Sequence, residues 1–155
     1  MKLKNVLLLS FLLLVSQGAR GQNYQAGTGL EWDGNEMRVL VEDLTADAGK
    51  IGLTGEQIKT KCEVRLRQAG LNPTDGGDRL LYVNVNVVGR GFNIRLAIGR
   101  PVHYATSRGT FLIVAHTWDA STAGTHIGEP KFILSQLDLL LDQFIAEFLK
   151  VNSSK

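Results

Sequence analysis

The chain has a single cysteine, Cys62, among 155 residues. No intramolecular disulfide can form, so the fold must rest on packing, without the staples usual in small secreted scaffolds. Proline occurs only three times, and each occurrence reads as punctuation. Pro73 blocks a helix from continuing, Pro101 interrupts a strand, and Pro130 sits where a helix start tolerates a missing N–H. No apolar run reaches the roughly 20 residues that a membrane-spanning helix requires. The longest candidate near the C-terminus is broken by Asp138 and Asp142. There is also no G-x-S-x-G elbow, the local signature of one large hydrolase class.

What the N-terminus does contain is the pattern of an export signal. Lys2 and Lys4 precede an apolar run from Val6 to Val15, interrupted only by Ser10. Ala19 and Gly21 supply small residues before a cut placed after Gly21. An uncleaved anchor conflicts with the shortness of the run. No cysteine follows the run to carry a lipid. The expected signal, 1–21, holds three of the 17 basic residues and no acidic one, leaving 14 against 15 and a formal charge of −1 instead of +2. That removes the positive field on which a nucleic-acid partner would depend. The expected location is periplasmic or secreted. The remaining length suits one domain with a real core.

Residues 22–36 are polar and Gly-rich, and read as a flexible lead or a loosely docked arm that Trp32 could pin. In 37–44, Met37, Val39 and Val41 alternate with Arg38, Leu40 and Glu42, a strand pattern. Residues 45–53 read as a loop. Thr54 and Gln57 form a capping box, and Ile58, Cys62, Leu66 and Ala69 make one apolar helical stripe. Gly70 suits the left-handed position after that helix. Cys62 falls on the buried stripe and is expected to be an inert core thiol. Residues 80–88 alternate cleanly, a turn at 89–91 leads into a second alternating strand, and 111–118 form a third. Residues 119–129 read as a loop, and a last helix runs from Pro130 to about Asn152. The expected fold is α+β in the order β-α-β-β-β-α, with a mainly antiparallel sheet and two helices packed on one face. The expected single domain spans 37–152, with 153–155 as a tail.

The motifs VE at 41–42, GLT at 52–54, LRQAG at 66–70, LYVNVNV at 81–87, TW at 117–118 and FLKVN at 148–152 resemble those of an uncharacterised family of short exported bacterial proteins. The element order is also similar to small periplasmic modules such as the N-terminal domain of the Tol-Pal propeller protein. That second likeness is one of topology, which does not fix function. Neither resemblance implies catalytic residues.

Two surfaces stand out as candidates for binding. One is the outward sheet face, Tyr82, Asn84, Asn86, Asn93 and Arg95, in which Tyr and Arg are types enriched at contacts. A polar outer face is also what a one-sided helix layer leaves in water. The other is the wide apolar arc of the last helix, with Leu134, Leu141, Ile145 and Leu149 as a possible helix interface or dimer seam. A metal site would need His103, His116 and His126 to converge. With a hairpin turning at 106–108, His103 opposes about residue 112 and His116 about residue 99, which keeps the two apart. Ser121 near Asp119 and His126 is the only local grouping of triad residue types. No catalytic residue, metal or cofactor is therefore expected. The leading reading is a non-enzymatic binding or accessory module whose partner is another envelope protein or a peptide. A small hydrolase or metal-dependent enzyme using the 116–126 loop, and an immunity-type protein that blocks a toxin, are the alternatives.

Overall fold

The computed structural model describes residues 27–153. The expected signal, 1–21, and the first part of the arm, 22–26, lie outside the described residues. Strand β1 (Glu36–Val41) is followed by a one-turn helix α1 (Ala46–Lys50), helix α2 (Gly55–Gln68), a two-residue strand β2 (Asn72–Pro73), then β3 (Leu80–Val88), β4 (Gly91–Thr106), β5 (Gly109–Thr125) and helix α3 (Pro130–Asn152). The sheet order is β2-β1-β3-β4-β5. β1 pairs in parallel with both β2 and β3, whereas β3, β4 and β5 form an antiparallel meander. The fold is α+β as expected, and its sheet is mixed. The parallel pairing arises because α2 carries the chain from β1 back across the sheet before β3 begins.

Side-chain alternation places whole rows on the inner face. Val39, Leu81, Ile98 and Trp118 form one row, and Val41, Val83, Leu96 and Ala120 the next. α2 lays Ile58, Cys62 and Leu66 on this face, and α3 lays Leu137, Leu141 and Phe144. The capping box is formed in both directions: Gln57 N–H donates to Thr54 Oγ1 (3.2 Å) and Thr54 N–H to Gln57 Oε1 (3.0 Å). Gly70 has φ +80° and the Leu71 N–H donates to Leu66 O at 3.0 Å, so the helix ends with Leu71 tucked into the core. Cys62 is fully buried, and burial pushes its thiol up to about 12.

The described part of the arm is docked. Leu30 and Trp32 are buried, and Trp32 packs on Phe148 with ring centroids 4.5 Å apart. Asn152 at the end of α3 binds the arm twice: its Nδ2 donates to Leu30 O (3.0 Å) and its Oδ1 accepts from Trp32 N–H (3.3 Å). Of the two expected forms, 27–36 takes the docked one, because two large apolar side chains in ten residues outweigh the freedom of a Gly-rich composition.

Two further expectations change. The loop at 45–53 contains α1, with Ala48 buried and Thr45 Oγ1 donating to Val87 O (2.7 Å). The expected loop at 119–129 is strand as far as Thr125. Its Ser, Thr, Ala and Gly residues have weak strand preference on their own, but each pairs with a residue of β4, and Gly124 lies under the Phe92 ring.

Candidate functional site

Among the described residues no helix lies on the outer face of the sheet, and strand pairing assembles the polar residues there into adjacent rows. Leu40, Tyr82, Ala97 and Asp119 are cross-strand neighbours, as are Asn84, Arg95 and Ser121, and then Asn86, Asn93 and Ala123. Glu42, just beyond β1, is held by its N–H donating to Val83 O (2.9 Å). Its carboxylate accepts from both the Tyr82 hydroxyl and the Asn84 side-chain amide. The hydrogen bond from Tyr82, with Asn84 second, holds the Glu42 carboxyl below the usual range, and the same bond pushes the Tyr82 hydroxyl up. Asn86 Nδ2 donates to Asn84 Oδ1 at 2.5 Å, extending the chain of donors. Arg95 Nε reaches Asp119 Oδ2 at 3.4 Å, and the His116 ring stacks on Tyr82 at 5.7 Å.

All five outward residues read from the sequence thus share one face, but they play unequal parts. Asn93 donates to Thr122 O (3.1 Å), so its amide is engaged by the strand beside it. Glu42, Asp119 and His116 belong to the surface as well and escaped the sequence reading. Glu42 fell at the end of an alternating run, and Asp119 inside an expected loop. Chemically the surface offers one carboxylate preset as an acceptor, amides that donate and accept, and a guanidinium beside a stacked ring pair.

The histidines lie far apart. His103 opposes Leu112 and His116 opposes Gly99, the register expected from the turn position. His126 sits at the opposite end of β5, about 30 Å from His116 at the usual rise per residue. It is buried, with Nε2 3.1 Å from Gly89 O and Nδ1 accepting from Gly128 N–H (3.0 Å). Those partners require the proton on Nε2, and the ring clamps the β3–β4 turn. Asp119 faces Arg95 on the outer face. His116, Asp119 and His126 therefore do not form a constellation. Ser121 also lies on the outer face, opposite Arg95. Among the described residues no three His, Cys, Asp or Glu side chains gather into a metal-binding group.

On the helix side, Leu141 is fully buried in the core, which corrects its assignment to an interface. An arc spanning half a helix must include the residues that meet the sheet, and Leu141 is one of them. Leu134 lies in a groove of about 840 Å³ between α2 and α3, where Val64 is its apolar neighbour. The Lys61–Asp138 pair (2.7 Å) and the Arg65–Asp142 pair bridge the two helices there. Ile145 and Leu149 line a smaller adjoining groove of about 260 Å³.

A feature absent from the sequence reading is the length of β4 and β5. Beyond Ile98 they leave the sheet as a two-stranded ribbon that turns at Ser107-Arg108. Thr117 is the extra residue of a bulge at the ribbon's base, opposite the Ile98–Gly99 step. Tyr104, Phe111, Leu112 and Val114 are 57%, 49%, 67% and 61% exposed. The signal was present in the unbroken apolar run at 111–115, which ordinarily marks a strand covered on both faces. Here no helix among the described residues covers it, and residues 111–114 are exposed.

No family model and no curated protein sequence matches the chain. Among solved structures it is similar to a minor lipoprotein from Acinetobacter baumannii, at 14% identity over 77% of this chain and 93% of that one, with a TM-score of 0.27. A likeness at that level carries no argument about fold or role, so the resemblance to exported proteins rests on the sequence motifs. No helix among the described residues is long and apolar enough to cross a membrane.

Proposed function

We propose that the protein is an exported, non-enzymatic binding module that acts in the periplasm or outside the cell and engages a protein or peptide ligand. The observation that carries this reading is the uncovered outer sheet face. There Glu42 accepts from Tyr82 and Asn84, and Arg95, the cross-strand neighbour of Asn84, pairs with Asp119. Such a surface offers side-chain donors and acceptors together with Tyr and Arg, residue types enriched at protein contacts. The lysines, apolar run and small residues of 1–21 support export.

The test is cross-linked capture from the envelope fraction of the producing cell, comparing wild type with Arg95→Glu and Tyr82→Ala. A stoichiometric protein partner lost in both variants, and kept in Lys131→Ala on the far helix, is the expected result. Recovery of the same partners by all four proteins would remove the sheet face from the binding site.

A further inference from the structure

We propose that the edge of β5 in the ribbon, which no strand among the described residues pairs, is a self-association edge, pairing antiparallel with the same edge of a second copy about a twofold axis at Ile113. The argument begins with which backbone groups are free. The turn closes on the pair Thr106–Gly109 with two residues between. That pair must exchange both hydrogen bonds, because the alternative pattern would require a bond between adjacent residues 107 and 108. Bonding to β4 then alternates along β5 through 109, 111, 113 and 115. The N–H and C=O groups of Thr110, Leu112, Val114 and His116 point to the open edge. On β4 the same alternation turns Pro101 outward, to the ribbon's other edge.

The two edges are therefore unlike. The β4 edge is blunted by Pro101, which has no N–H to offer a neighbour. From Gly109 to Trp118 the β5 edge holds no proline and no Lys, Arg, Asp or Glu. Exposed edges lacking those devices are pairing edges.

The occupant that fits is another copy. Centring on Ile113 sets Leu112 against Val114 of the second copy and Thr110 against its His116, so each open N–H and C=O from 110 to 116 meets a complement. No like charges are opposed. Arg108 at the turn comes beside Asp119 of the second copy, which gives the ends of the seam opposite charge. Leu112, Ile113 and Val114 of each copy, 67%, 44% and 61% exposed, lie at the centre of that seam. An axis of this kind runs perpendicular to the sheet. Both polar faces would look the same way, and the dimer would present two copies of the proposed binding surface side by side.

The experiment uses the full chain, produced with its own leader and purified. Ile113→Cys places two thiols on the axis at a non-hydrogen-bonded pair, with Cα atoms about 4.5 Å apart, inside the range a disulfide accepts. The buried Cys62 leaves no competing surface thiol. The expected results are a dimer by light scattering for wild type, rapid oxidation of Ile113→Cys to a covalent dimer, and none for Thr110→Cys. Leu112→Lys/Val114→Lys, both at exposed positions, is expected to be a monomer with an unchanged circular dichroism spectrum. A wild-type monomer at the highest soluble concentration, with no cross-link at 113, overturns the proposal. So does a monomer that instead co-sediments with phosphatidylglycerol vesicles, which would make the ribbon a lipid-docking element. Retention of the captured partner by Arg95→Glu and Tyr82→Ala, with the dimer intact, would count against the sheet-face reading alone.

Discussion

Strands β4 and β5 each run through two environments. In the half from Gly91 to Ile98, paired with 118–125, the inner side chains Phe92, Ile94, Leu96 and Ile98 are sealed under α2 and α3. In the half from Pro101 to Thr106, paired with 109–114, residues of equal strand propensity stand largely in solvent. The backbone ladder is continuous apart from one bulge. Local propensity therefore forms the ribbon, but only the helices turn a strand into a core. Apolar residues in the first half hold the monomer together, and those in the second are free to hold something else.

The largest effect expected is on the sealed side. Phe144→Ala should cost about 3–5 kcal/mol in a denaturant titration. Phe111→Ala in the ribbon, measured at high dilution, should stay within about 0.5 kcal/mol. Equal losses would show that the ribbon packs against its own molecule and would dissolve the contrast. Next in size is Gly29→Ala, where the arm meets the base of the ribbon. Gly29 has φ +81°, and a Cβ there would lie 2.0 Å from Thr117 O. A loss of about 1–3 kcal/mol and a red shift of Trp32 emission are expected. An unshifted spectrum would mean that the arm does not depend on that contact.

The smallest effect is one of pH. Trp118 Nε1–H donates to Glu147 Oε2 at 2.6 Å. Gln143 first, and then Trp118, hold the Glu147 carboxyl below its ordinary 4.5. A lowered folded pKa means that the stabilisation is complete above about 4.5 and fades as pH falls through the folded value. The stability gap between wild type and Glu147→Gln should shrink in that acid window. A gap constant from pH 7 to 3 would remove Glu147 from the account.

Much of this was readable from residue order. The capping box at Thr54, Gly70 after the helix, the turn at Gly89-Arg90 and the pairing of His103 with Leu112 all follow from short-range rules. The neighbours in sequence alone decide them. The mixed sheet was not readable, because parallel pairing of β1 with β3 depends on which element α2 crosses. The strand at 119–125 was missed for a similar reason: its small polar residues extend only because β4 lies beside them. On the outer face, alternation identified Tyr82, Asn84 and Arg95, but nothing local could say that Glu42 would arrive next to them from another strand. Exposure of the 111–115 run is the clearest case, since its pattern is that of a covered strand and only the extent of the helices decides otherwise.

Thr117 joins three parts of the molecule at one point. It is the residue inserted at the base of the ribbon, and its hydroxyl donates to Gly29 O at 2.8 Å. One residue further along the arm, Leu30 O accepts from Asn152 at the end of α3. A pull arriving along the backbone at residue 27 would load these two bonds before any strand of the sheet. The force would enter where the covered and uncovered halves of β5 meet.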